Sequence, residues 1–345
     1  MKLEFRSVEL NLAHTWSISR SRGTDHFKVV VVTLSDVDGI RGLGEAAPVA
    51  RYKESPLTVE SFLRRIDPVR LSFDDIRGST NYLESLSSGD FAAKCAVNTA
   101  LLDGAARRAE LPLCDYLRIG FQENKHVTSF SIGIDTPESI LSKTSAANAY
   151  PVIKMKVGAC TDKANLKALR EAAPSKILRV DANEAWSKKE EALEMIEWLA
   201  RDRNIEFVEQ PMPASATVED WRWLKQRSPL PIFGDESFHD ARDVETAREC
   251  FHGVNVKLVK TGGITGAVEA LTAARKAGLK TMLGCMIETS VLISAAAHLA
   301  NLCDHLDLDG NLLVTNDPYL GVTAERGMLS FKHAVEKFGL RVSGR

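Results

Sequence analysis

Hydrophobic positions alternate along the first 45 residues as β-strands require. Apolar side chains recur at roughly every second position over residues 3–10, and a β-branched run follows at 28–34. The turn sequence Asp-Val-Asp-Gly at 36–39 leads into a third apolar stretch at 40–45. We therefore predict an antiparallel meander. The polar stretch 16–25, between the first two strands, is predicted to be a loop too long for a simple hairpin.

The hydrophobic period becomes helical between residues 58 and 120. The clearest helical pattern covers 91–103, with Asp90 as its predicted N-cap. These strands and helices predict a small α+β domain over residues 1–120. The polar run 122–125 is the predicted linker to the rest of the chain.

Beyond the linker, short strand patterns alternate with helical patterns. The predicted strands lie at residues 127–134, 152–157, 177–181, 205–209, 231–235, 254–259, 280–285 and 305–309. Eight strands spaced by about 25 residues, with helices between them, indicate a closed parallel barrel. A tail replaces the usual eighth helix. We predict an α/β fold: a modified TIM barrel of the form (β/α)7β at 121–315, an N-terminal α+β capping domain, and a tail at 316–345 that returns to it.

Composition narrows the class of ligand. The chain has 345 residues, 44% hydrophobic and 26% charged, with a net charge of −2, so it offers no electrostatic footprint for nucleic acid or an anionic membrane. We therefore expect a small-molecule partner. The N-terminus has no apolar signal region, which predicts a cytoplasmic protein. Six cysteines without a CxxC pair indicate neither a zinc site nor a disulfide framework.

Two lysines mark the second predicted barrel strand. Lys154 and Lys156 are two residues apart, so their side chains point to the same face. Neighbouring ammonium groups are expected to depress each other's pKa, which makes a lysine a usable base near neutral pH. The alternative is a lysine-rich, solvated edge strand.

Three carboxylates end three consecutive predicted strands. Asp181, Glu209 and Asp235 are separated by 28 and 26 residues, so they are expected to converge at the mouth of the barrel, where active sites of this architecture lie. Each one alone is also a plausible helix N-cap. Three crowded carboxylates need a cation between them, and oxygen ligands without histidine or cysteine favour Mg²⁺, with Mn²⁺ as a substitute.

Lys257 ends the sixth predicted strand and is the predicted catalytic partner of Lys156. In an eight-stranded barrel the second and sixth strands face each other, so Lys156 and Lys257 are predicted on opposite sides of a bound molecule. A carbon acid held between them would lose its α-proton to one lysine and regain a proton from the other. The predicted reaction is racemisation or epimerisation.

The eighth predicted strand carries Asp307 and Asp309. Both are expected to face inward, far around the barrel from the metal ligands, and two free carboxylates suit an organic ammonium group. A calcium loop is the alternative reading of Asp-Leu-Asp-Gly at 307–310, but the downstream Glu that such a loop needs is missing.

These motifs resemble a known family. The sequences Lys-Met-Lys at 154–156, Asp-Ala-Asn at 181–183, Glu-Gln-Pro at 209–211, Asp-Glu-Ser at 235–237 and Asn-Val-Lys-Leu-Val-Lys-Thr-Gly-Gly-Ile at 255–264 are similar to those of the muconate-lactonizing-enzyme subgroup of the enolase superfamily. Asp-Leu-Asp at 307–309 resembles the motif of the dipeptide epimerases, a group that includes L-Ala-D/L-Glu epimerase.

The resemblance implies a role for each matching residue. Mg²⁺ would be bound by the three carboxylates, Lys156 and Lys257 would be the acid and base, and Lys154 would bind the substrate carboxylate. Asp307 and Asp309 would hold the α-ammonium of a dipeptide. The substrate pocket would also be lined by Ser131, Cys285 and Met286, with Glu288 close by as either a pocket residue or a helix N-terminal residue.

Side-chain preference is expected to depend on two capping-domain loops, 16–25 and 48–54. The resemblance aligns Arg20 with an arginine that recognises an acidic substrate side chain; Arg22 is the second candidate, and a solvated surface charge is the alternative for either. Arg51 and Tyr52 are expected to close over the substrate. Rival activities on the same scaffold are o-succinylbenzoate synthase, N-acylamino acid racemase and muconate cycloisomerase, and the remote alternative is a non-catalytic ligand-binding barrel. A homo-oligomer is expected by resemblance.

Overall fold

The computed structural model describes residues 1–345, the side chain of Arg22 excepted. None of the described helices is long and apolar enough to cross a membrane. The N-terminal elements are β1 (Lys2–Ile18), β2 (Ser21–Ser35), β3 (Arg41–Ala46), α1 (Pro56–Arg64), α2 (Ile76–Leu86), α3 (Phe91–Arg108) and α4 (Leu113–Tyr116).

The predicted meander is an antiparallel sheet in the order β1-β2-β3, and the long helix α3 packs on it. Glycine is required at this contact, because a Cβ on Gly42 or Gly44 would lie 1.9 Å from the carbonyl oxygen of Ala100 or Ala96. The apolar face of the sheet and the helix therefore close into the first hydrophobic core.

One local prediction for this region was wrong, and a second was confirmed in position only. Residues 16–25 are not a long loop, because β1 and β2 continue through them with irregular register and the chain turns at Ser19 and Arg20. Backbone pairing overrides the polar sequence there. Asp90 is the N-cap residue of α3, as predicted, but its φ of 56° places it in the left-handed region and its side chain makes no capping hydrogen bond.

Parallel strands alternate with helices in the second part of the chain, as predicted. The strands are β4 (Phe130–Ile132), β5 (Val152–Lys156), β6 (Ile177–Asp181), β7 (Ile205–Glu209), β8 (Ile232–Gly234), β9 (Gly253–Lys257), β10 (Lys280–Gly284) and β11 (His305–Asp307). The helices are α5 (Pro137–Ala146), α6 (Asp162–Ala172), α7 (Lys189–Leu199), α8 (Val218–Arg227), α9 (Val244–Cys250), α10 (Ile264–Lys276) and α11 (Ser290–Ala297).

Strands β4 to β11 pair with their chain neighbours in one eight-stranded parallel sheet. A parallel bridge between Thr128 and Leu306 brings its two edges together and closes the barrel. The (β/α)7β prediction is confirmed by this order. The strands bury apolar residues against the surrounding helices, and their carboxyl ends meet at one mouth.

The tail contains β12 (Tyr319–Leu320), β13 (Thr323–Glu325), β14 (Met328–Ser330) and β15 (Ser343–Gly344). It contacts the N-terminal region at several points. The amide of Leu113 donates to the Gly339 carbonyl at 2.8 Å, and the amide of Leu340 donates to the Asp103 carboxylate at 2.7 Å. The buried end of α3 is therefore held by the last residues of the chain.

Candidate active site

The strand register brings the predicted catalytic side chains to one level of the barrel mouth. Lys156 pairs with Asp181 in the β5–β6 ladder, and Asp181 pairs with Glu209 in the β6–β7 ladder. On the other side, Gly284 is the partner of both Lys257 and Asp307. Side chains that are distant in sequence thus occupy one layer, because each ends its strand at the same height.

Asp181, Glu209 and Asp235 converge as the spacing predicts. All three are buried, and one oxygen from each lies within 4.8 Å of the others. That separation is close to the roughly 4.2 Å across the coordination shell of Mg²⁺, whose oxygen bonds are about 2.1 Å long. Oε2 of Glu209 is buried and faces the Lys154 ammonium group at 2.7 Å, a contact outside hydrogen-bond geometry. The three carboxylates fit a hard divalent cation.

Burial and the neighbouring lysines have opposite effects on the pKa values of these carboxylates. Burial, with the charge of Asp181, raises the pKa of Glu209 to about 7. Burial also opposes ionisation of Asp181, but the Lys156 and Lys154 ammonium groups outweigh it and hold the pKa of Asp181 below its ordinary value. The pKa of Asp235 is likewise held low, against burial, by Lys257 and Lys260. The trio therefore retains negative charge in a buried position.

Each predicted catalytic lysine contacts one of these carboxylates. Nζ of Lys156 lies 2.6 Å from Oδ2 of Asp181, and Nζ of Lys257 lies 2.8 Å from Oδ2 of Asp235. Lys154 contacts two members of the trio, with Nζ 2.7 Å from Glu209 and 3.1 Å from Asp181. Lysines from opposite parts of the barrel therefore surround the carboxylates.

For Lys154, the expected depression of the pKa by its neighbouring lysine was wrong. Burial lowers the pKa of Lys154, but the charges of Asp307, Glu209 and Asp181 outweigh burial and raise it well above the ordinary value. The pKa of Lys257 is raised against burial by Asp235. The adjacent lysine matters less than the carboxylates because the carboxylates lie within contact distance.

Residues that the sequence analysis did not single out hold the carboxylates in place. Nζ of Lys260 lies 2.6 Å from both the carbonyl oxygen and Oδ1 of Asp235. Nδ2 of Asn255 donates to Oε1 of Glu209 at 2.8 Å. The amide of Asp235 donates to Oε1 of Gln210 at 2.9 Å. One signal was present: Asn255 lies two residues before Lys257, on the same face of the strand.

Asp307 and Asp309 have different surroundings. Asp307 accepts from the Ser129 hydroxyl at 2.6 Å and from Lys154 at 2.7 Å, so it is neither free nor distant from the metal ligands as expected. The reason is that the closed barrel places β11 beside β4, which pairs with β5, so only one strand separates Asp307 from Lys154. Asp309 accepts from the Ser131 amide. Burial, followed by the charge of Asp307, raises the pKa of Asp309 to about 7.

A cavity of about 650 Å³ opens above these side chains. Predicted residues that line it are Arg20, Ser131, Lys154, Lys156, Lys257, Cys285, Met286, Asp307 and Asp309. Its volume suits a small organic molecule of dipeptide size. The carboxylates of Asp181, Glu209 and Asp235 lie beneath the lysines rather than in the cavity wall.

The two capping-domain segments are fastened to the barrel by ion pairs. Nη1 of Arg20 lies 2.6 Å from Oε1 of Glu236, and Arg51 donates twice to Glu184, both at 2.8 Å. Tyr52 packs edge-on against His239, with ring centroids 6.1 Å apart. The segment 48–54 is thus held over the cavity mouth. The side chain of Arg22, the second candidate for substrate recognition, lies outside the described residues.

Glu288 lies in a buried position between the barrel and the capping domain. Its carboxylate accepts from the Met286 amide at 3.0 Å, and burial, with the charge of Glu45, raises its pKa to about 8. Glu45 accepts from the amide and hydroxyl of Thr289 at the start of α11, and burial raises its pKa to about 7. These two carboxyl groups belong to the domain interface.

Comparison with known proteins gives two family matches. Residues 5–117 match the mandelate racemase / muconate lactonizing enzyme N-terminal domain, and residues 141–326 match the enolase C-terminal domain-like family. The chain is 63% identical to an L-Ala-D/L-amino acid epimerase from Pedosphaera parvula, with 100% of both chains covered. Together, the two family models match most of the chain.

Solved structures share the whole architecture. The L-Ala-D/L-Glu epimerase from Bacillus subtilis, in a substrate-liganded complex, superposes with a TM-score of 0.92 at 28% identity, covering 100% of this chain and 98% of that one. A dipeptide epimerase from Enterococcus faecalis, complexed with Mg and L-Leu-L-Tyr, superposes with a TM-score of 0.89 at 30% identity, covering 99% and 98%.

Proposed function

The chain belongs to the mandelate racemase / muconate lactonizing enzyme family of enolase-like proteins, and on this premise we propose that it is a Mg²⁺-dependent dipeptide epimerase. It would invert the α-carbon of the C-terminal residue of a dipeptide by removing the α-proton from one face and adding a proton to the other. The observation that carries the proposal is the convergence of three buried carboxylates with lysines from β5 and β9 beneath one cavity.

Lys156 and Lys257 are proposed as the acid and base. Their strands are second and sixth in the order of eight, and both residues line the cavity, which supports a position on opposite faces of the substrate α-carbon. One lysine takes the α-proton from its face, and the other donates a proton from the opposite face. Repetition in either direction interconverts the two stereoisomers.

Asp181, Glu209 and Asp235 would hold the metal. A bound Mg²⁺ would supply positive charge that weakens the pairing of these carboxylates with the lysines and stabilises negative charge developing on the substrate carboxylate. Lys260 and Asn255 support this assignment, because they fix the orientation of Asp235 and Glu209 by hydrogen bonds. Lys154 is proposed to bind the substrate carboxylate.

Asp309 and Asp307 are proposed to bind the dipeptide's α-ammonium group. Both line the cavity on the side of β11, and the raised pKa of Asp309 is what a buried carboxylate without a cation would show. An ammonium group beside Asp309 would stabilise the ionised carboxylate and so lower this pKa. This site distinguishes a dipeptide from N-acylated amino acids, which lack the ammonium. We further propose that the protein is a cytoplasmic homo-oligomer with a role in peptide metabolism, and that Mn²⁺ can replace Mg²⁺.

The test is exchange of the substrate α-proton in D₂O, followed by NMR with Mg²⁺ present. Dipeptides of L-Ala with a second L-amino acid should exchange at the C-terminal α-carbon and yield the other diastereomer. The N-acetyl analogues should react at least about tenfold less efficiently, because Asp309 would face no ammonium. Equal rates for both would contradict the dipeptide assignment, and exchange of neither would contradict the epimerase.

A further inference from the structure

We infer that Arg20 is a positioning residue and not the receptor for an acidic substrate side chain, and that the enzyme prefers dipeptides whose C-terminal residue is uncharged and apolar. This inference rests on the proposed function, since it concerns the side chain of the residue that is epimerised. Its basis is the set of contacts that Arg20 makes at the cavity wall.

Arg20 is already engaged by the barrel. Its Nη1 lies 2.6 Å from Oε1 of Glu236 and 3.3 Å from Oε2 of Glu184, and it also donates to the Asn183 carbonyl at 3.1 Å. The carboxylate of Glu236 is buried, with 1% of its side chain exposed. Removing Arg20 from Glu236 would leave a buried negative charge unpaired, which is unfavourable.

The surrounding charges balance. Arg51 donates to both oxygens of Glu184 at 2.8 Å, so two arginines face two glutamates. A substrate carboxylate brought to Arg20 would also approach Glu236 and Glu184, and like charges at contact distance repel. This cluster therefore provides no net positive charge for an acidic side chain.

Much of the cavity wall is apolar. Its partly buried apolar residues are Trp16, Ile18, Phe27, Val49, Ile287 and Leu313. Lys28 also lines the cavity, but it is 53% exposed and its Nζ lies 3.5 Å from Glu9. Burial of an apolar side chain against these residues is favourable, whereas a carboxylate there would lose its hydration.

The position of Arg20 explains what it does instead. It lies at the turn between β1 and β2 and binds residues that follow β6 and β8, so it fastens the hairpin to the barrel. Arg20, Arg51 and Asn183 line both the central cavity and an outer recess of about 410 Å³. The arginines thus form the partition between the two spaces, and Arg20 keeps the apolar wall closed over the substrate.

The experiment measures kcat/KM for L-Ala-L-Leu, L-Ala-L-Phe and L-Ala-L-Glu with the wild type and with Arg20→Met, Arg20→Lys, Glu184→Gln and Arg242→Met. The wild type should prefer the two apolar dipeptides by at least about tenfold. Arg20→Met should lower kcat/KM for all three by a similar factor and make the β1–β2 hairpin more sensitive to proteolysis. Glu184→Gln should act in the same direction, and Arg20→Lys should restore part of the loss. Arg242→Met, at an arginine that is 80% exposed and does not line the cavity, controls for loss of an arginine and should leave the preference unchanged.

A wild-type preference for L-Ala-L-Glu would overturn the inference, as would a loss of only the L-Ala-L-Glu activity in Arg20→Met. Unchanged kinetics and proteolysis in that variant would overturn the positioning role. The wild-type measurements decide the substrate preference even if a variant does not fold. Exchange with none of the three dipeptides would instead contradict the proposed function itself.

Discussion

The ammonium group of Lys154 lies 2.7 Å from Oδ2 of Asp307, which joins the second and eighth strands of the barrel beneath the cavity. The same ammonium contacts Glu209 at 2.7 Å, so one buried lysine connects the predicted ammonium site to the predicted metal site. Because Asp307 is already paired, a substrate ammonium would depend mainly on Asp309. The two aspartates of one short motif are therefore expected to contribute differently.

Substitution of Asp309→Asn should raise KM for dipeptides by about 10- to 100-fold with a smaller effect on kcat, since one charge-assisted hydrogen bond to the substrate is lost. Steady-state kinetics with an L-Ala dipeptide provide the measurement. Asp307→Asn is the matched comparison and should lower kcat as well, because it removes a partner that holds Lys154. Identical effects of the two substitutions would argue against a division of roles.

Lys156→Ala and Lys257→Ala should each reduce epimerisation by about 10³-fold or more, because each removes a group that must give or take the proton. One of the variants should still exchange the α-proton of a single stereoisomer with D₂O, which NMR resolves. Lys163→Ala, at a lysine that packs near Trp198 on the outside of the barrel, controls for loss of a lysine. Full activity in either active-site variant would refute the two-base mechanism.

Removal of divalent cations by EDTA should abolish activity, and Mg²⁺ should restore it. Mg²⁺ should also raise the melting temperature of the wild type, because a ligand that binds only the folded state stabilises it. Asp235→Asn should weaken both effects, since it removes one of the three converging carboxylates. Titration calorimetry measures the affinity without reference to catalysis. Tight Mg²⁺ binding by Asp235→Asn would count against the assigned site.

The free energy of unfolding should fall as pH rises from about 4.5 to about 8, and Glu288 should cause part of this fall. The folded state keeps the proton of Glu288 until its pKa of about 8, whereas the unfolded chain releases it near the ordinary 4.5. The folded state therefore binds more protons in this window, and the free energy of unfolding decreases with pH by up to about 1.4 kcal/mol per pH unit.

Chemical denaturation of the wild type and Glu288→Gln at pH 5.5 and pH 8 tests this linkage. The glutamine keeps a neutral side chain at both values, so the variant should lose less stability than the wild type between them. Glu245→Gln, at a side chain that is 78% exposed, controls for removal of one carboxyl group. A parallel decline in wild type and Glu288→Gln would show that Glu288 does not cause the effect.

The alternation of strands and helices, and the charged residues that end the strands, could be predicted from the sequence alone. These features follow from local periodicity, because a strand repeats every two residues and a helix every 3.6. Once eight parallel strands are recognised, the barrel brings their carboxyl ends to one mouth. The convergence of Asp181, Glu209 and Asp235 was predictable for that reason, and the structure confirms it.

The partner that each charged side chain contacts depends on the three-dimensional fold and could not be predicted from local sequence. The closing bridge between Thr128 and Leu306 sets β11 beside β4 and within reach of Lys154, and the β1–β2 turn sets Arg20 against Glu236. Electrostatic energy depends on distance and burial, so the direction of the Lys154 pKa shift had no local signal. Spacing along the chain predicts where a strand ends. The pKa of a charged residue at that end depends on residues that the fold brings there from other parts of the chain.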